Sequence, residues 1–179
     1  HNIELVIICY NDTTILRLLP LEMTICNPDI FFSKIKKGEK LLSIDYGDKF
    51  VGLAISDERF TISNPFDTIR RKSFKFLVEN IIKIIDQYSI GGIVLGWPIN
   101  MDGSEGPRCD ATRDFSYAFI KVYNIPICYH DERLSTYEAE SFLEKVKVPK
   151  KKIKTLTNSL AASFILQDFL NYKNLKQNK

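Results

Sequence analysis

The sequence predicts an α/β domain: a five-stranded mixed sheet with helices on both faces. Three observations predict it. Residues 41–56, LLSIDYGDKFVGLAIS, hold two short alternating apolar runs joined by a tight connection, which reads as an antiparallel hairpin. Over residues 73–88 the apolar spacing changes from period two to that of a helix. Beyond that point two short apolar runs alternate with helical stretches, the pattern of a mixed sheet covered on both sides.

Size and composition agree with one domain. A chain of 179 residues with 45% hydrophobic content can bury a sizeable core, and its composition is not that of a disordered chain. No apolar run reaches the ~20 residues of a membrane span, so no membrane partner is expected. The net charge is only +3, but residues 141–179 carry nine lysines against Glu144 and Asp168. A basic end on a nearly neutral protein suits a polyanion, and equally a solvated face. Cys9, Cys26, Cys109 and Cys128 form no CxxC pair, and Cys128 in IPICY reads as a small buried hydrophobe in a reduced protein. Two histidines, His1 and His130, exclude a histidine-rich zinc site.

The elements follow in order. Residues 1–39 contain apolar clusters without clear period and read as an N-terminal extension. The first strand, to Tyr46, puts Leu42, Ile44 and Tyr46 on one face. The second, Phe50–Ser56, puts Val51, Leu53 and Ile55 on one side and small residues on the other. RFTISNP reads as a third strand, stopped by Pro65. Ser73 is a candidate cap for the helix that follows. GGIVLGW is a buried strand, PINMDGSEG a polar loop, and Pro107 a helix start. That helix runs to about residue 123, IPICYHD is the fifth strand, and helices near 135–145 and 155–172 flank the lysine run. The domain is therefore expected over 40–172, with a basic tail over 173–179.

Asp45 and Asp131 lie at the C-terminal ends of the first and fifth strands. If the first, fourth and fifth strands are parallel neighbours, these ends share the edge where open α/β sheets place their sites. Converging carboxylates call for a cation, and oxygen donors suit Mg²⁺ or Mn²⁺. Two such ions can activate water for phosphodiester cleavage. Each residue also has a plain reading: Asp45 as a turn former, and Asp131 as a neighbour of the ion-pairing Arg133.

Four stretches in order, IDYGDKFVGLAISD, GGIVLGWPINMDGSEGPR, HDERLSTYEAE and NSLAASFILQDFL, resemble the motifs of the YqgF/RuvX family. That family comprises RNase H-like Holliday junction resolvases, also implicated as nucleases maturing pre-16S ribosomal RNA. The resemblance covers about residues 40–172. It implies an RNase H-like fold with the first three strands antiparallel and a sheet order of 3-2-1-4-5. It also implies divalent-metal nuclease chemistry, with Asp45 and Asp131 at the catalytic acids, and a partner that is branched DNA or an rRNA precursor. A resolvase making paired cuts would be a homodimer.

The departures are informative. Asn158 stands where the family's last motif usually has aspartate, so it brings a carbonyl ligand without charge. Thr155, Thr157 and Asn158 equally suit a helix start. A chain weakened at this position would be a nucleic-acid-binding module of the same fold. Phe50 follows Lys49 where the first motif usually continues with arginine, and Trp97 replaces a smaller aliphatic residue, with packing as its expected role. In NMDGSEGPR, Asp102-Gly103 reads as a turn, and Arg108 joins a helix N-terminus that favours phosphate. Glu105 or Asp102 could add an acid to the cluster. Lys49, Arg108, Arg133, Lys150, Lys151 and Lys152 are the expected backbone-gripping cations, carrying no sequence specificity. The first motif also resembles that of actin-like ATPases, which need a second such domain around the nucleotide. The expected compartment is the cytoplasm, or an endosymbiotic organelle if residues 1–39 are the remnant of a targeting extension; their acids (Glu4, Asp12, Glu22, Asp29, Glu39) argue against an intact transit peptide.

Overall fold

The computed structural model describes residues 24–132, 135–146 and 150–177. Strands β1 (Lys40–Tyr46), β2 (Phe50–Ser56) and β3 (Ser63–Arg70) form an antiparallel meander. Helix α2 (Phe74–Tyr88) crosses to β4 (Ile90–Trp97), and α3 (Pro107–Val122) to β5 (Ile127–Asp131), both parallel to β1. The sheet order is β3-β2-β1-β4-β5, as the motifs implied. Helices α4 (Ser135–Lys145) and α5 (Lys150–Gln177) close the chain. Among the described residues no helix is long and apolar enough to cross a membrane.

Period-two alternation divides the sheet between two cores. Leu42, Ile44, Leu53, Ile93, Leu95 and Ile127 pack with Leu77 and Ile81 of α2 and Phe115 and Phe119 of α3. Leu41, Ala54, Val94 and Cys128 pack on the opposite face against Ala162, Leu166 and Phe169 of α5. The α2 cap forms as the sequence predicts, with the Ser73 side chain accepting from the Phe76 N–H at 3.2 Å. Cys128 is buried in that second core, and its thiol is pushed up to about 12 by burial. Trp97 packs as expected, its ring 4.4 Å from that of Tyr129.

Three elements differ from the sequence reading. Pro65 does not stop the third strand but lies inside β3, opposite Ala54, at a register shift. β3 is a sheet edge, where a residue without an N–H costs no ladder bond, and the bulge absorbs the proline ring. The last helix begins at Lys150, so the lysines of residues 150–154 occupy its first turns; lysine is a good helix former. Thr155, Thr157 and Asn158 are then interior to α5, which rules out the cap reading. Finally, residues Pro28–Lys34 form a helix, α1, capped by the Asn27 side chain accepting from the Ile30 N–H at 3.0 Å. Its Phe31 is fully buried between α5 and β4, where a Cβ on Gly92 would come within 2.6 Å of the ring. Just before it, Ile25 bridges in parallel to Ile127.

Candidate active site

Asp45 sits one residue before the end of β1. Alternation places it on the α5 side of the sheet, and it is 7% exposed. Two glycines shape its surroundings. Opposite Asp45 on β2 is Gly52, where a Cβ would collide with the backbone carbonyl of Asn158. The glycine therefore lets α5 lie backbone-close on the sheet and delivers half-buried Asn158 beside β1. On the other flank is Gly96, one position beyond the Ile44–Leu95 pair. A Cβ there would collide with the Glu132 carboxylate and come within 2.9 Å of Ile165 Cδ1.

Glu132 is the acid the sequence reading missed. It follows β5 directly, its N–H donating to the Trp97 carbonyl at 3.3 Å. Continued alternation gives it the face of Cys128 and His130, which is the face of Asp45. Its side chain is 7% exposed and folds over Gly96. The signal is present in HDER: period two from Cys128 selects Glu132 rather than Asp131.

The two buried carboxyls act on each other. Burial raises Asp45 to about 6, against the lowering pull of Arg108. Burial, then the Asp45 charge, raises Glu132 to about 8, with Asp131 adding to the effect and Arg108 opposing it. Arg108 lies 3.5 Å from Glu132 Oε1 with its side chain 58% exposed, too long and too wet to neutralise two acids. A dry pair of carboxyls near neutral pH holds a proton or a cation.

The remaining predicted residues are distributed around this pair. Asp131 is exposed at the end of β5, in register with Trp97, and its charge reaches Glu132. Arg108 occupies the first turn of α3, whose N-cap Gly106 has no side-chain cap bond. Lys49 is exposed in the connection between β1 and β2. There Gly47 is required by close approach, since a Cβ would lie 2.6 Å from the Phe50 carbonyl oxygen. Glu105 and Asp102 are not brought into the cluster. Glu105 pairs with Arg113 at 2.5 Å. Asp102 accepts from the Ser104 N–H and hydroxyl at 2.9 and 2.6 Å, forming the predicted turn with Gly103 at φ 85°. Arg133 lies outside the described residues, as do the side chains of Lys150, Lys151 and Lys152 in the first turn of α5. His130 Nε2 and Asp168 Oδ2, 2.8 Å apart, tie β5 to α5 beneath the site.

Among the described residues no three Asp, Glu, His or Cys side chains form a ready-made metal cage. Magnesium needs less, since one or two carboxylates with water and substrate oxygens are the usual protein contribution. Asp45 and Glu132, both raised by burial and oxygen-only, fit that requirement, and the Asn158 amide stands on the adjacent helix.

A family model described as RuvX: Holliday junction resolvase matches residues 39–172. A Paramagnetospirillum magneticum protein named "Putative pre-16S rRNA nuclease" is 39% identical over 149 residues, covering 83% of this chain and 96% of the relative. A Halothermothrix orenii protein of the same name is 43% identical over 135 residues, covering 75% and 96%. Among solved structures, T. thermophilus RuvC in complex with a Holliday junction substrate is similar with a TM-score of 0.47 at 9% identity, covering 76% of this chain and 96% of that one.

Proposed function

The chain belongs to the RuvX Holliday junction resolvase family, and from that premise we propose that it is a divalent-metal-dependent nuclease hydrolysing phosphodiester bonds in structured nucleic acid, with Asp45 and Glu132 at its centre. The observation that carries this reading is the buried pair itself, two carboxyls on one face at parallel strand ends, each raised by burial. A stability-driven sequence would not bury two such groups at one sheet edge without something for them to hold. The substrate is branched DNA or an rRNA precursor, the chemistry named by the family and by its curated relatives.

Asp45 and Glu132 would hold Mg²⁺ or Mn²⁺, with the Asn158 carbonyl as a neutral oxygen and Asp131 as the outer acid. Held by these residues, such an ion would supply an activated water and offset charge on the phosphate oxygens. The protein's own groups do the positioning. Arg108, exposed at a helix N-terminus beside the acids, orients a phosphate toward them. Asn158 costs the site one negative charge and does not remove the buried pair.

The test is cleavage of a labelled four-way junction and a labelled rRNA-precursor stem with Mg²⁺ and with Mn²⁺. Wild type should cut at least one substrate; Asp45→Asn and Glu132→Gln should lose cutting by two orders of magnitude or more. If wild type cuts no better than Asp45→Asn while Asn158→Asp cuts, the natural chain binds without cutting and the nuclease reading fails.

A further inference from the structure

The arginines at the C-terminal edge of the sheet are held in different ways. Arg113 is tied to two acids, Glu105 and Asp110, and Arg108 faces Glu132. Arg71, one residue past β3, is held by neutral groups. Its N–H donates to the Lys49 carbonyl at 2.9 Å, and its Nη1 donates to the Gly47 carbonyl at 3.2 Å. Its Cζ lies 4.5 Å from the centroid of the Tyr46 ring. The connection directly after Asp45 thus grips Arg71 at three points. Asp48 and Asp114 act electrostatically on Tyr46, yet among the described residues Arg71 forms no ion pair.

A carbonyl and a ring face fix a guanidinium in place without cancelling its charge. The side chain is exposed, and a single Nη1 bond leaves it donors for an incoming anion. Strand direction decides where that charge sits. β3 runs parallel to β1, so Arg71 emerges at the same edge as Asp45, beside exposed Lys49 and with Arg70 and Lys72 as sequence neighbours. Arg108 stands on the other flank, beyond β4. A phosphate backbone laid across the strand ends would meet Arg71, then the acid pair, then Arg108.

Resting on the nuclease reading above, we infer that Arg71 is a substrate-positioning residue: preset on Tyr46 and Gly47, it binds a backbone phosphate of the nucleic acid on the β2–β3 side of Asp45. It supplies, from β3, a cation at the hairpin where Phe50 follows Lys49.

The test is equilibrium binding of a labelled junction and a labelled rRNA-precursor stem in Ca²⁺, as a function of salt, for wild type, Arg71→Ala, Arg71→Gln and Arg71→Lys. Arg71→Ala should weaken binding about tenfold at low salt. Its slope of log affinity against log salt should fall by about 0.9 on duplex arms, the share of one phosphate. Arg71→Gln keeps an N–H donor for the Gly47 carbonyl and should lose the same slope, which carries the test should alanine loosen the hairpin. Arg71→Lys should keep the slope. Wild-type slope in both neutral variants would make Arg71 a structural clamp and overturn the inference while leaving the nuclease reading intact. A loss of slope in both neutral variants, with a wild type that binds and never cuts, would uphold Arg71 and sink the nuclease. Absence of any wild-type binding would sink both.

Discussion

Glu132→Gln tests the acid pair through stability, independently of any substrate. In the folded protein Glu132 keeps its proton to about 8, whereas its ordinary value is 4.5. Between those values the folded state binds more protons than the unfolded chain, so stability falls as pH rises. Below about 4.5 both states are protonated and the penalty vanishes; above about 8 it is complete. That difference corresponds to about 5 kcal/mol of ionisation cost, an upper bound on what the amide recovers because a buried amide keeps a desolvation cost of its own. A gain of about 2–4 kcal/mol above pH 8 is expected for the metal-free variant, roughly 5–15 °C in Tm for a chain of this size. Little is lost at Arg108, which is exposed and 3.5 Å away. The assay is thermal unfolding in EDTA from pH 5 to 9. Wild type should lose Tm steadily across that range, the variant much less, and Mg²⁺ should raise wild type more than the variant. Parallel pH profiles for the two proteins would refute the reasoning, because Glu132 would then not be held protonated by the fold.

Three more outcomes follow from close packing. Gly52→Ala would drive a methyl into the Asn158 carbonyl, which is backbone and cannot rotate away; α5 must shift, at a cost of about 1–3 kcal/mol or more, read by urea unfolding, with cleavage lost alongside. Gly96→Ala meets the Glu132 carboxylate and the tip of Ile165, both movable, so cleavage should fall more steeply than Tm, as paired activity and melting measurements would report. Phe31→Ala, although outside the matched 39–172, should cost about 3–5 kcal/mol in denaturant titration, because the ring is fully buried between α5 and β4.

What the sequence determined by itself is what local chemistry can encode. Alternation marked β1 and β2, short apolar runs marked β4 and β5, helical spacing with the Ser73 and Pro107 starts marked α2 and α3, and Gly47 marked the hairpin that puts Asp45 at a strand end. The turn at Asp102-Gly103 was equally local. Even α1 had its signal in Asn27-Pro28, a cap followed by a first-turn proline, although no period announced it. Pro65 read as a terminator because its meaning depends on lying at an edge, which only the strand order supplies. The site itself was decided in three dimensions. Glu132 joins Asp45 because β4 places Gly96 between them and leaves room for a carboxylate, and Asn158 arrives because Gly52 admits the backbone of α5. Arg71 reaches the hairpin because β3 happens to end where β1 does. Periodicity fixes which face a side chain takes within its own strand, but proximity between strands depends on register and on the distance of backbone approach, and those are set by packing across the whole sheet.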